Sequence, residues 1–537
     1  MTKRILAIFL LGIMAIGILT GCGENTNFLT GEPEVEMQTR SSNEIHIPIE
    51  KVRTLNPIIT KDEDAFYMNK LIYQSLFEFD ENLTLRGMLA DGYTYENNKA
   101  SVRINLKKNI KWEDGEEFTA EDVKFSIESH MRAASTGNSM YASNVSNIKS
   151  VSLVRGEPYQ VIVHFISTDK VSMADFTFPM VPQHQYRSVD NILRQAEEFI
   201  CIGMGPYKIT EYNELTHIRM EGNELYHGET PGNILNFRIM PDKSDAVNLM
   251  EVSDLAISFS KEIDRDTAFA HKDVDIVSFA SNEVEFVGFN NQVLTDKRIR
   301  QAIAYSIDRE LILGSGYFSN GILNDNIYYP NYLGVKSSDL VYKMDIEKAK
   351  QLLIEAGYID RDGDGIAENV NDQELTINIL VNSENQSRVA AAQIIKTGLE
   401  RLPIRSNLII KSWDEYNSDL AGGNFDIYIS GFQINESYDL RPFLHSGYEN
   451  VIGYTNLNLD ALLDQMSMGL TNEEKVNTFI KIKEILIEDL PYFCLLYKTY
   501  GAITSPALQG EVKPLFNDLY NGCESWSYVY EVVEEAK

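Results

Sequence analysis

Cysteine is scarce in this chain. Four thiols are spread over 537 residues, and none falls in the close pairs that build zinc or redox sites. A cysteine-built metal scaffold is therefore excluded. Cys494 and Cys523 could form one bridge across a C-terminal loop, with buried free thiols, Cys201 included, as the equal alternative. Histidine is also sparse. Its eight copies, at positions 46, 130, 164, 184, 217, 227, 271 and 445, never stand at metal-ligand spacing, and HExxH, GxSxG and GxxxxGK are all missing. The usual hydrolase and nucleotide-hydrolase signatures are thus absent, although 79 acids leave a glycosidase-type carboxylate pair open. Positive charge is short: 48 Lys and Arg against those 79 acids leave a net charge of −31. Such a surface repels nucleic acid and anionic headgroups. After the first twenty residues no apolar run approaches membrane length.

What is present begins at the N-terminus. Lys3 and Arg4 precede the apolar run Ile5 to Leu19, which is too short for a comfortable membrane span and suits a secretory signal. Leu19-Thr20-Gly21-Cys22 resembles the lipobox of bacterial lipoproteins. The resemblance implies lipidation at Cys22, removal of residues 1–21 and a mature chain held at the cell membrane outside the cytoplasm. Residues 22–42 lack sustained apolar periodicity and read as a flexible tether, with structure expected from about Ile45. The 44% hydrophobic content belongs to a folded protein of roughly three domains or one large bilobed body.

Strand and helix signals alternate without a solenoid repeat, which places the chain in the α/β or α+β classes. Thr119 followed by Glu121 and Asp122 predicts a capped helix with Val123, Ile127 and Met131 on one face. Asp296 predicts another, with Ile299, Ile303, Ile307 and Leu311 as its stripe and Arg298, Arg300 and Arg309 off it. A third runs from Asp345 through Ala349, Leu352, Leu353 and Ala356 to Gly357. Strands are predicted at Ser101 to Leu106, Gln160 to Phe165, Leu375 to Val381 and Phe425 to Ser430.

Several blocks then follow in one order. Leu55-Asn56-Pro57 and Leu71 to Leu76 lead to Leu106 to Val123, which holds Lys107-Lys108, Trp112, Asp114-Gly115 and Thr119 to Val123. Gly203-Met204-Gly205-Pro206-Tyr207, Asp296 to Ala302 with Asp308-Arg309, Lys348-Ala349 with Ala356-Gly357, and Phe425-Asp426 to Gly431-Phe432 come after. Together they resemble the extracellular solute-binding proteins of family 5, the oligopeptide and dipeptide receptors of ABC importers. The resemblance implies an α/β, two-lobed periplasmic-binding-protein-like class II fold with an extra inserted domain, three domains in all. Lobe I would be 43–80 plus 201–290 plus 506–537, the inserted domain 81–200 and lobe II 291–505. It further implies a non-enzymatic, monomeric receptor without cofactor, which closes on a peptide and delivers it to an ABC permease, with no nucleic acid partner.

By the same resemblance, Lys61, Asp62, Glu63 and Asp64 on one side and Phe432, Gln433, Ile434, Asn435 and Glu436 on the other would flank a peptide and pair with its backbone as an added strand. Tyr141 and Trp413 match cleft aromatics, though as residue types both serve equally as core. Where the oligopeptide receptors place the aspartate that pairs with the peptide ammonium, this chain has Asn435, which is neutral. Glu436 and Asp439 are the carboxylates nearby, and Leu420 and Ile429 stand where some members carry arginines. The same fold could instead receive a nickel complex or an oligosaccharide, and a lipoprotein hydrolase or a permease-free sensor are the rivals of other classes. Asp360, Asp362 and Asp364 have EF-hand-like spacing, but the twelfth position is Asn371 rather than Glu, and a plain Asp-Gly surface turn explains them as well.

Overall fold

The computed structural model describes residues 36–534 apart from 169, 195–198, 251–252, 262–273, 337–339, 435–437 and 468–469. Residues 41–529 form one compact unit, and the described residues 36–40 and 530–534 fall to a second, small one. The strand Glu36–Ser42 pairs with Ser527–Glu534. Residues 36–42 were expected within the tether and are a strand instead. A polar strand without an apolar repeat gains its order from backbone pairing, which composition does not report. Among the described residues no helix is long and apolar enough to cross a membrane.

The large unit is mixed α/β, built on three main sheets. Along Glu44–Glu50 the side chains of Ile45, Ile47 and Ile49 are buried, as the two-residue period of a strand dictates. This strand lies parallel to Ile234–Met240, beside which His217–Gly222 and Tyr207–Asn213 complete four strands. A second four-stranded sheet joins Ala90–Glu96, Ser101–Leu106, Gln160–Phe165 and Ile148–Leu153 in that order. The helix Ala120–Ser135 belongs with it, its first turn closed by a reciprocal box in which Thr119 and Asp122 satisfy each other's end of the backbone. Trp112, fully buried, packs edge-on against Phe118 at 6.2 Å. The densest sequence block is therefore a folding motif. One continuous core runs from Ile45 through Val181 to Trp526 and joins segments that the sequence divided between lobe I and an inserted domain.

The third sheet has the order Ile257–Ser260, Tyr492–Thr504, Asp275–Phe289, Ile427–Gln433, Thr376–Asn382 and Arg405–Lys411, with Gly321–Ile322 also on Tyr492–Thr504. Two separate apolar clusters pack against it. The expected boundary at 290 divides Asp275–Phe289 from its partner Tyr492–Thr504, yet these two pair along nearly their full lengths. Their register shifts between Ala280 and Val284. A bulge of this kind bends and twists a strand, and it lies where the long strands meet the cleft described below.

The Asp296 helix is shorter than its stripe predicts, Lys297–Ser306, because Asp308 caps a new short helix and breaks the path. Leu311 is consequently about half exposed. Arg300 and Arg309 lie off the stripe but are buried. Arg300 donates to the carbonyls of Leu294, Asp489 and Leu490, and Arg309 to those of Asn324, Tyr342 and Cys494 and to the Asp325 carboxylate at 2.8 Å. Each guanidinium closes several loop carbonyls that burial would otherwise leave unpaired. Cys201, Cys494 and Cys523 are free thiols.

Candidate functional site

Two glycines set the first wall. A Cβ on Gly203 would lie 1.9 Å from the Ile72 carbonyl oxygen, and one on Gly205 would lie 2.2 Å from that of Leu71. Only glycine allows this turn to press on the end of the helix Glu63–Ile72, where the Gly205 N–H donates to Ile72. That contact fixes a helix whose other end carries the residues expected to hold ligand. Asp62 stands at its N-cap position and accepts the Arg53 N–H at 2.8 Å. Asp64 accepts the Glu50 N–H and pairs with Lys243 at 2.7 Å. Glu63 pairs with Lys261 at 2.8 Å, and Lys61 donates to the Gly137 carbonyl. Glu63 and Asp64 are helical, so they cannot offer the extended backbone expected of an added-strand partner. Acidic residues after an N-cap favour a first helical turn, and here that preference prevails.

The opposite wall is the end of Ile427–Gln433. Gln433 lies opposite Glu283 and Phe432 opposite Val284 in the neighbouring strand. The Ile434 N–H donates to the Asn282 carbonyl, and the Asn282 amide returns a bond to Ile434. On the other side Thr376–Asn382 pairs only with Ile427 and Tyr428, leaving that edge of Gly431 to Gln433 without a strand partner among the described residues. The Phe432 ring is stacked on Phe443 at 4.2 Å.

Between the walls lies a cavity of about 390 Å³ that brings together Glu63, Tyr141, Gln433 and Ile434, with Asn282 and Tyr500 from the long paired strands. It shares Glu63, Tyr67, Lys261 and Tyr500 with a larger cavity of about 610 Å³ that Asp62 and Asp64 also line. These volumes are those of small-ligand sites. Glu283 sits beside this floor. Burial pushes its carboxyl up, but the Lys498 ammonium at 2.8 Å, the Tyr500 hydroxyl at 3.1 Å and the Gln433 amide outweigh it, so its pKa is held below the ordinary range.

Other expected residues stand apart. Trp413 opens the helix Trp413–Gly422, stacks on Tyr416 at 5.6 Å, is about half exposed and lines neither cavity. Asp439 gives both oxygens to Arg441, each at 2.8 Å. Asn435, Glu436 and Cys22 lie outside the described residues. Asp360, Asp362 and Asp364 do converge, joined by the buried Glu368, with carboxylate oxygens within 4.8 Å of one another. They hold the loop's own amides, as Asp360 does for Gly363 and Gly365, and line neither cavity. Tyr67, Tyr500, Asn282 and Lys261 were missed because they carry no local motif. Only pairing between distant segments brings them to the cleft.

Residues 84–453 match the family described as bacterial extracellular solute-binding proteins, family 5 Middle. The oligopeptide-binding protein AppA of Bacillus subtilis is 25% identical over 493 residues, covering 88% of this chain and 89% of that protein. Heme-binding protein A of Haemophilus influenzae is 22% identical over 533 residues, covering 93% and 95%. In structure, the periplasmic murein tripeptide binding protein MppA in its unliganded open form superposes with a TM-score of 0.74 at 18% identity, covering 93% and 99%. A cleft walled from both sides is what a receptor requires, and the chain belongs to family 5 of the bacterial extracellular solute-binding proteins, whose members serve ABC transporters and are not enzymes.

Proposed function

We propose that this protein captures short peptides outside the cytoplasm, held to the membrane by lipid on Cys22, and hands them as a monomer to an ABC permease. The observation that carries this reading is the meeting of Glu63 and Tyr141 with Gln433 and Ile434 around one cavity. A peptide there finds the open edge of Gly431 to Gln433 on one side and the first turn of the Glu63–Ile72 helix on the other. Backbone bonds to a strand edge are blind to side chains, which suits a receptor of broad taste. Gln433, Asn282 and Asn144 supply amides, and Tyr67, Tyr141 and Tyr500 supply rings with a polar tip.

The described residues lining the two cavities include no histidine, which favours peptide over direct ligation of nickel. With only three tryptophans in the chain, a sugar-stacking groove is the weaker alternative. The test is to purify the protein from its own cells, denature it and identify by mass spectrometry what is released. Short peptides are expected. A metal complex, a haem or a glycan as the sole released species would overturn the reading.

A further inference from the structure

Several acids around the cleft are committed to cations: Glu63 is paired with Lys261, Asp64 with Lys243, Glu283 with Lys498 and Asp439 with Arg441. Asp175, like Asp62 with the Arg53 amide, is engaged by backbone alone. It lies in the short 3-10 helix Met173–Phe176, half-buried, and lines both the 390 Å³ cavity and a neighbouring one of about 400 Å³ whose walls include Tyr93, Tyr332 and Tyr438. Asp175, Ala174 and Ser143 are the lining residues that these two cavities share. Its carboxyl is engaged by the backbone of Ser172, and among the described residues no cation pairs with it. Lys70 and Lys261 line the first cavity and Lys170, Lys475 and the Asp439-bound Arg441 the second, and among the described residues no ion pair joins any of them to Asp175. Burial outweighs the Ser172 hydrogen bond, and the carboxyl is pushed up to about 7. A desolvated carboxylate at the junction of two cavities is complementary to a cation arriving with the ligand.

We propose that Asp175, which lines the same cavity as Gln433 and Ile434, is the group that receives the α-ammonium of the bound peptide, the task for which Asn435 lacks the charge and which Asp439 cannot perform while Arg441 holds it. This rests on the peptide reading above and adds a specificity: peptides with a free N-terminus are retained and N-blocked ones are not.

The test uses the full-length protein, two random pools of short peptides, one free and one N-acetylated, and mass spectrometry of what washed protein retains. The variant is Asp175→Asn, which keeps an acceptor for the Ser172 amide and removes only the charge. Wild type is expected to favour the free pool. Asp175→Asn should lose about 30-fold or more of its affinity for free-amine peptides, the lower end of the cost of breaking a buried charged pair, with acetylated peptides little changed. That unchanged retention also reports an intact cleft. If wild type retains both pools alike, or if Asp175→Asn keeps the preference or loses both pools equally, Asp175 is not the anchor while the peptide reading stands. If wild type retains neither pool, the peptide reading fails and this inference with it.

Discussion

Arg388→Met should destabilise the protein by about 3 kcal/mol. Glu285 lies on the long strand Asp275–Phe289 with a side chain only 2% exposed, and Arg388, on the helix Gln386–Leu399, reaches its two oxygens with Nε at 2.7 Å and Nη2 at 3.0 Å. Removing one member of a buried pair costs about 3 to 5 kcal/mol, because the other charge stays behind without its partner. Here the carboxylate keeps the Tyr317 hydroxyl at 3.2 Å and the Lys498 ammonium at 3.8 Å, which sets the expectation at the low end of that range. Urea unfolding followed by tryptophan fluorescence reads the change as a lower midpoint at constant slope. The double variant Arg388→Met with Glu285→Leu should recover most of the loss. A midpoint change under about 0.5 kcal/mol for Arg388→Met, or no recovery in the double variant, would refute the assignment of the pair.

Gly203→Ala should cost at least about 1 to 3 kcal/mol, read in the same unfolding assay, because its Cβ would sit 1.9 Å from the Ile72 oxygen; a neutral result would mean the turn can move away. Glu113, pushed up to about 7 chiefly by burial, keeps its proton when the unfolded chain has lost it, so it removes stability as pH rises from about 4.5 to 7. Glu113→Gln should therefore gain on the order of 2 kcal/mol at pH 8 and little at pH 4, and a gain that is equal at both pH values would contradict this. Peptide at about 100 times its dissociation constant should add roughly 2.7 kcal/mol to unfolding stability, with scattering reporting closure as a smaller radius of gyration; an unchanged melt across a mixed library counts against the peptide reading. Cys22→Ala should leave the fold intact and release the protein from membranes, whereas a variant still lipidated and retained would exclude the lipobox.

Features encoded locally were legible in the sequence. Thr119, Asp296 and Asp345 each cap the helix they predicted, and Gly357, at φ +89°, closes the last of these. The strands Ser101–Leu106 and Gln160–Phe165 fall on their expected residues. Features that depend on distant partners were not legible. The burial of Arg300 depends on carbonyls at Asp489 and Leu490, and the pairing of residues 36–42 depends on the far end of the chain. The cleft was half legible: the family resemblance pointed to Glu63, Tyr141, Gln433 and Ile434, and only the fold adds Asn282 and Tyr500. It gave no sign of Asp175, which lines both cavities with no cation paired to it among the described residues.

In the third sheet, Tyr492–Thr504 is inserted between Ile257–Ser260 and Asp275–Phe289, which were synthesised more than two hundred residues earlier. Until that late segment emerges, both earlier strands present unpaired edges and the cleft has no floor. Contacts so distant in sequence slow folding and extend the time that strand edges remain exposed. The chain therefore cannot complete this sheet before its last tenth is made. A nascent chain short of residue 492 would hold both earlier strands without the one that joins them, and so no partial receptor.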